Sequence, residues 1–144
     1  MEILNKRAKF DYFIESEYEA GIVLTGTEIK SVRNGHCNIR DCYGIIKNNE
    51  VFLLNMFIAP YSEGNIFNHE ETRTRKLLLN KHEIKKIKNK LEIEGYTMFP
   101  IKLYFKNNKA KILLGIGKGK KQFDKRETIK KRDQEREIRK MVKY

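Results

Sequence analysis

The sequence predicts a mainly β protein: a small antiparallel barrel with two to three flanking helices and a basic carboxyl-terminal tail. Three observations support this fold class. Short runs of β-branched and aromatic residues recur along the first 117 residues, with asparagine- or glycine-containing turns between them. Two segments place helix-capping residues before an apolar face. The last 28 residues hold 12 Lys or Arg, 5 Asp or Glu and only six apolar side chains, so they cannot bury themselves.

The chain begins with two predicted strands and a short helix. Residues 10–14 alternate in a period of two, and residues 21–24 form a second β-branched run, so both suit a sheet. Residues 25–33 are predicted to form a helix that Thr25 can cap, with Ile29 and Val32 facing inward. On this helix three charged side chains are expected to face outward: Glu28, Lys30 and Arg33.

The middle of the chain is predicted to hold a hairpin, a long loop and a second helix. Residues 38–47 and 51–58 are separated by Asn-Asn-Glu, which is typical of a short β-connection. Residues 60–74 are polar and are expected to form a loop that could serve recognition. A helix should then begin at Asn80, with Glu83 completing a capping box, and end at a glycine.

A hairpin at residues 96–106 and 109–117 follows, turning at an Asn-Asn pair. About six antiparallel strands in roughly 110 residues close most economically into a small barrel, and a barrel of the OB type is suited to nucleic acid. We therefore expect one OB-type domain over residues 1–117 and a basic tail, residues 118–144, that is disordered in the free protein.

Charge indicates the class of partner. The net charge is +12 and the pI is near 9.7, which favours RNA or DNA over small acidic substrates because polyphosphate binding releases counterions. No apolar run approaches the ~20 residues that a bilayer span requires. The amino terminus has no apolar signal-peptide region. We expect a cytoplasmic, monomeric protein without membrane contact.

Catalysis and metal binding find little support in the residues. The chain has two cysteines, Cys37 and Cys42, which are too few for a structural zinc site and are expected to be ordinary thiols. No nucleophile motif, spaced carboxylate cluster or phosphate-binding loop is present. We predict no enzyme activity, no metal and no cofactor.

Several long motifs identify a family. GTEIKSVRNG (residues 26–35), FNHEETRTRKLLL (residues 67–79), LYFK (residues 103–106) and GKGKKQFDKRE (residues 117–127) resemble the SmpB family, the SsrA-binding proteins. The similarity includes the opening NKRAKFDYFI and the basic segment TIKKRDQEREIRK, so it covers nearly the whole chain.

The resemblance implies a function. Members of this family bind the tRNA-like domain of transfer-messenger RNA (tmRNA, also SsrA RNA) and deliver it to stalled ribosomes for trans-translation. It implies three partners: tmRNA, small-subunit ribosomal RNA and, indirectly through alanyl-tmRNA, elongation factor Tu. The alternative is a general OB-fold RNA-binding or ribosome-associated protein without specificity for tmRNA, which would show little preference for the tRNA-like domain.

Candidate contacts in the body come from these motifs. From the residues alone, Glu28 is a first-turn carboxylate favoured by the helix dipole, and Arg73 and Arg75 belong to a solvated charge run. The resemblance instead implies an RNA surface, where Glu28 could accept bonds from bases or orient an arginine. Arg73 and Arg75 could grip adjacent phosphates from one side of an extended chain. The candidate RNA-binding residues are Lys6, Glu28, Lys30, Arg33, Arg73, Arg75 and Lys76.

The tail has two parts. Gly117 and Gly119 are expected to give a flexible exit from the barrel. The family resemblance implies that Phe123 stacks on a base of small-subunit ribosomal RNA. Acid–base pairs beyond residue 127 are typical of a marginal helix that folds on binding. By resemblance the residues that meet the decoding centre are Lys118, Gly119, Lys120, Lys121, Phe123, Asp124, Lys125, Arg126, Lys130, Lys131 and Arg132.

Overall fold

Nine strands and three helices make up the described part of the chain in the computed structural model, which covers residues 2–61 and 68–120. The strands are β1 (Glu2–Leu4), β2 (Tyr12–Ile22), β3 (Cys37–Asn38), β4 (Tyr43–Lys47), β5 (Glu50–Leu54), β6 (Phe57–Ile58), β7 (Arg75–Leu78), β8 (Thr97–Lys106) and β9 (Lys109–Gly119). The helices are α1 (Ala8–Asp11), α2 (Gly26–Arg33) and α3 (Lys81–Ile93).

Strand pairing closes on itself. The main sheet has the order β1-β8-β4-β5-β7-β2-β9, and β8 also pairs with β9, so six strands form a continuous antiparallel ring. Some pairings in the ring are short: Gly44 opposite Met98 joins β4 to β8, and two residue pairs join β2 to β7. Strands β3 and β6 form a separate pair. The predicted mainly β fold with flanking helices is confirmed.

The core fills the interior of this ring. Inward positions of the strands alternate with outward ones, as the period of two requires. Helix α3 adds Ile87, which is completely buried. The largest fully buried apolar side chains are Phe99, Ile39, Leu53, Met56, Ile58, Leu77, Ile87, Met98, Leu103, Ile112 and Leu114.

Asparagine pairs make both predicted hairpin turns. Asn48 and Asn49 have φ of 52° and 60°, and Asn107 and Asn108 have φ of 53° and 62°. Two successive residues at positive φ are the mark of a type I′ turn, whose twist matches the flanking strands. Asparagine tolerates this region better than most residues. These turns therefore connect β4 to β5 and β8 to β9 as the sequence predicts.

The amino-terminal region differs from the prediction. The two strands expected at residues 10–14 and 21–24 merge into one strand, β2 (Tyr12–Ile22), in which the acidic residues between them lie on the outward side, and Val23 and Leu24 follow its end. Residues 8–11, of which the sequence pattern assigns 10 and 11 to a strand, form α1. An ion pair of 3.2 Å between Arg7 and Asp11, four residues apart, spans this short helix.

The end of β9 also differs from the prediction. Gly117 and Gly119 lie inside β9 and do not form a flexible exit, and the backbone N–H of Lys120 still donates to the carbonyl of Asp11 at 2.7 Å. A Cβ at position 117 would lie 1.9 Å from the carbonyl oxygen of Phe13. Glycine is therefore required at position 117 because β2 approaches closely, whereas nothing lies within 4 Å of a Cβ at position 119.

Candidate nucleic-acid interface

A buried ion cluster joins α2 to the chain that enters β7. Glu28 and Arg75 are fully buried, and the Nε of Arg75 donates to Oε2 of Glu28 at 2.6 Å. The Nε of Arg73 donates to both carboxylate oxygens at 3.2 and 3.1 Å, and its Nη2 donates to Oε1. One carboxylate thus accepts from two guanidinium groups. We call Glu28, Arg73 and Arg75 the buried ion cluster.

The local sequence positions Glu28 for this role. Thr25 caps α2, its Oγ1 accepting from the N–H of Glu28 at 3.4 Å, while the N–H of Thr25 donates to Oε1 of Glu28 at 2.8 Å. This is a capping box, and the predicted cap at Thr25 is confirmed. Burial disfavours the charged form of Glu28, but hydrogen bonds from Arg73, the Thr25 backbone and Arg75 outweigh burial and hold its pKa below the ordinary value.

The guanidinium of Arg75 organises the loop around it. Besides Glu28, it donates through Nη1 to the carbonyls of Met56 at 2.6 Å and Arg73 at 3.0 Å. Its Nη2 donates to the carbonyls of Glu70 at 3.4 Å and Glu71 at 3.2 Å. Five donors in a planar fork can satisfy this set, and the three donors of lysine could not.

Two site predictions need correction. The sequence pattern places Glu28 on the outward face of its helix and Arg75 on a phosphate beside Arg73, but both Glu28 and Arg75 are fully buried in the ion cluster. The two arginines do share one side of the chain, as a period of two requires, yet that side faces the buried carboxylate. Neither Glu28 nor Arg75 is exposed in this conformation, and the carboxylate of Glu28 holds the guanidinium of Arg73.

Arg73 is the member of the cluster that reaches the surface. Its side chain is 29% exposed, and its Nη2 donates to the carbonyl of Val23 at 3.2 Å. His69, which the sequence marks only as a polar loop residue, bonds to Thr27 Oγ1 at 2.9 Å and to the Ile58 carbonyl at 3.0 Å. Residues 68–74 are therefore tied to α2 at several points, and Arg73 is held in place at their end.

The other four residues of the body that are predicted to bind RNA are exposed cations. On α2, Lys30 lies over the ring of Tyr61 at 5.2 Å and Arg33 over the ring of Phe105 at 4.5 Å. Lys76 is exposed on β7 and pairs with Glu50 at 3.4 Å. Lys6 is exposed in the turn that joins β1 to α1, outside the cluster.

The predicted tail residues divide between two regions. Lys118 and Gly119 belong to β9, and Lys120 follows it directly. The remaining tail predictions lie outside the described residues: Lys121, Phe123, Asp124, Lys125, Arg126, Lys130, Lys131 and Arg132.

Three tyrosines, Tyr12, Tyr61 and Tyr104, are candidates for stacking on an RNA base, and two of them are engaged within the protein. Tyr12 stacks on Phe99, with ring centroids 3.9 Å apart and an interplanar angle of 11°. The hydroxyl of Tyr104 donates to Glu19 at 2.6 Å, and burial together with this bond raises the pKa of Tyr104 to about 12. Tyr61 lies beneath Lys30 and remains close to the cationic face of α2.

An apolar groove that the sequence analysis did not identify lies beside the ion cluster. It has a volume of about 380 Å³ and its walls include Val23 and Leu78, whose exposed fractions are 45% and 53%. Asn108, Lys109 and Lys111 form one rim. The bond from Arg73 to the Val23 carbonyl joins this apolar groove to the cluster. The sequence does contain an indication of this groove in three consecutive leucines, residues 77–79, because successive side chains of a strand alternate between its faces and one leucine must point outward.

Metal and thiol chemistry have no site in the described residues. No group of three His, Cys, Asp or Glu side chains there could hold a metal ion. Burial raises the pKa of Cys37 to about 11 and that of Cys42 to about 12, so both stay protonated thiols near neutral pH. Within residues 2–61 and 68–120 no helix has the length and apolar content to cross a membrane.

Comparison with known proteins places the chain in a family. The family model described as SmpB protein matches residues 2–144. The chain belongs to the SmpB family. It is 57% identical over 134 residues to the SsrA-binding protein of Geobacillus sp. (strain WCH70), covering 93% of this chain and 86% of that protein. It is 54% identical over 134 residues to the SsrA-binding protein of Bacillus subtilis (strain 168), with the same coverage.

Further members support the assignment. The SsrA-binding protein of Halothermothrix orenii is 53% identical over 139 residues, covering 96% of this chain and 90% of that protein. Among solved structures, a chain from "tmRNA-SmpB: a journey to the center of the bacterial ribosome" is 41% identical with a TM-score of 0.71. That likeness covers 89% of this chain and 94% of the other. The resemblance inferred from the motifs is confirmed at the level of the SmpB family.

Proposed function

We propose that this protein binds the tRNA-like domain of tmRNA and delivers it to stalled ribosomes for trans-translation. The observation that carries the RNA contact is the apolar groove with its lysine rim, joined to the buried ion cluster by the bond from Arg73 to the Val23 carbonyl. Membership of a family whose members are named SsrA-binding proteins supplies the identity of the RNA. The protein acts as a binding factor and works in the cytoplasm.

The chemistry of the groove suits structured RNA. Val23 and Leu78 offer an apolar surface on which a ribose or an unstacked base can pack, while Lys109, Lys111 and Arg73 can meet the adjoining phosphates. Lys30 and Arg33 extend the positive surface along α2. Arg73 enters this interface at low entropic cost because Glu28 already holds its guanidinium.

Partners beyond tmRNA follow from the same proposal. The residues from 118 onward contact small-subunit ribosomal RNA, and elongation factor Tu joins the complex through alanyl-tmRNA, not through a surface of this protein. We assign tmRNA binding to the body and ribosome engagement to the tail. A chain that ends after Lys120 should therefore keep its affinity for the tRNA-like domain and fail to support peptide tagging on stalled ribosomes.

A matched pair of leucines tests the groove. Leu78 and Leu4 are 53% and 55% exposed, and each lies on a strand, so Leu78→Ala and Leu4→Ala remove the same apolar area. We expect Leu78→Ala to weaken binding of the tRNA-like domain about tenfold, as for loss of one well-packed contact, and Leu4→Ala to change it less than twofold. Fluorescence anisotropy with labelled RNA measures both.

Specificity for tmRNA is tested by the choice of RNA and salt. The wild-type protein should prefer the tRNA-like domain to an unstructured RNA of equal length, and the preference should persist at higher salt. Lys111→Gln should lower the salt slope by about one without altering the preference. Equal, salt-sensitive binding of both RNAs would instead indicate a general RNA-binding barrel and would overturn the proposal.

A further inference from the structure

A row of aromatic and lysine side chains lies across β2, β9 and the residue that precedes β8, at the end of β9. Phe13 on β2 is opposite Lys118 on β9, and the pairing of Thr97 with Gly117 brings Tyr96 to the other side of Lys118. The Nζ of Lys118 lies 5.4 Å from the Tyr96 ring centroid, and the Nζ of Lys120 lies 4.8 Å from that of Phe13. We call Phe13, Tyr96, Lys118 and Lys120 the aromatic–lysine row.

Phe13 presents its ring at the surface beside the lysines of this row. Its ring is 54% exposed, and the neighbouring core position is filled by Tyr12 stacking on Phe99. A cleft of about 160 Å³ opens between Phe13, Ile14, Glu15, Tyr96 and Lys118, and the carboxylate of Glu15 is paired with Lys90. A half-exposed aromatic ring beside two lysines suits a ligand with both a flat apolar face and negative charge.

We propose that the aromatic–lysine row binds one unpaired nucleotide of RNA. The base stacks on the ring of Phe13 or Tyr96, in place of the lysine that lies over that ring in the free protein, and the released ammonium group meets the phosphate. Stacking on an aromatic side chain together with cationic contacts to the backbone is how single-stranded nucleic acid is held without base-specific bonds. This site deepens the proposed function and rests on RNA being the partner.

The surrounding charges limit the site to a short segment. Beyond Phe13 the outward positions of β2 are Glu15, Glu17 and Glu19, all exposed. Lys90 pairs with Glu15 at 2.9 Å, and Lys106 at 3.6 Å together with the nearby Lys111 offsets Glu19. The carboxylates of Glu15 and Glu17 disfavour phosphate along β2, so we expect a strand to enter the row from the end of β9.

Tryptophan fluorescence tests this directly, because the chain contains no tryptophan. Phe13→Trp places a single indole in the row, and Phe57→Trp places one at another exposed phenylalanine, 38% exposed on β6, as a matched control. Titration with a ten-nucleotide single-stranded oligoadenylate should quench the Phe13→Trp emission strongly and leave the Phe57→Trp emission nearly unchanged. The same titration with tmRNA and with vacant small ribosomal subunits shows which RNA supplies the nucleotide.

Affinity measurements separate stacking from simple burial. Phe13→Leu keeps an apolar side chain without a π face and should weaken oligoadenylate binding about tenfold, whereas Phe13→Tyr should bind within about twofold of wild type. Equal oligoadenylate affinity of the wild type, Phe13→Leu and Phe13→Tyr would contradict the proposed nucleotide site. The same conclusion would follow if the emission of Phe13→Trp changed no more than that of Phe57→Trp with any of the RNAs. Retained preference for the tRNA-like domain in that case would leave the proposed function standing.

Discussion

Replacing Glu28 with Gln tests the central structural claim, that one buried carboxylate holds two arginines. The substitution keeps the shape of the side chain and an oxygen that can accept from the Thr25 backbone, but it removes the charge. Arg75 is then a fully buried cation without a counterion, and Arg73 loses its bidentate partner. The change therefore isolates the electrostatic role of Glu28 from its packing.

The magnitude follows from the geometry. Donor and acceptor atoms lie 2.6 Å apart for Arg75 and about 3.1 Å apart for Arg73. Two unit charges about 4 Å apart attract by about 4 kcal/mol at an effective dielectric constant near 20, and removing one partner of a buried pair typically costs about 3–5 kcal/mol. We expect Glu28→Gln to lower the free energy of unfolding by about 3–5 kcal/mol, and the melting temperature by roughly 12–20 °C.

Urea denaturation followed by circular dichroism measures this loss, with Glu50→Gln as the control. Glu50 also pairs with a cation, Lys76, but both side chains are about half exposed, so its removal should cost less than about 1 kcal/mol. A loss below about 1 kcal/mol for Glu28→Gln, equal to that of the control, would refute the claim that the cluster is buried and charged. RNA affinity, measured where the variant is folded, should fall because Arg73 is no longer held.

Three further predictions concern the buried ion cluster and the packing of β2 against β9. The pKa of Glu28 is lower in the folded protein than the value of about 4.3 in the unfolded chain, so its contribution to stability is complete above that value and is lost as pH falls through the folded pKa. The difference in free energy of unfolding between wild type and Glu28→Gln, measured by denaturation, should therefore shrink below about pH 4. Arg75→Lys should destabilise the protein by about 2–4 kcal/mol, because lysine has too few donors for Glu28 and the loop carbonyls; an unchanged urea midpoint would contradict the contacts described. Gly117→Ala should cost about 2 kcal/mol or more in thermal unfolding, since its Cβ would lie 1.9 Å from a backbone oxygen, whereas Gly119→Ala should be nearly neutral; similar melting temperatures for the two would show that β2 and β9 are not closely packed there.

Patterns confined to a few neighbouring residues were predicted correctly. The cap at Thr25, the capping box at Asn80 and the Asn107-Asn108 turn all depend on contacts within four residues. Family membership was likewise recognisable from the GTEIKS and TRTRK motifs, which the family match confirms. The net charge of +12 indicates a polyanionic partner from composition alone.

Contacts between distant parts of the chain could not be predicted in this way. Glu28 and Arg75 are 47 positions apart, and nothing local distinguishes a carboxylate that faces solvent from one that is buried against two guanidinium groups. The groove at Val23 and Leu78 and the aromatic–lysine row each require strands that meet only when the sheet closes. The sequence by itself determined the elements, the charge and the family, because these depend on local spacing and composition. Only the tertiary structure decided which charges are buried and which are exposed for RNA, because burial depends on packing across the whole barrel.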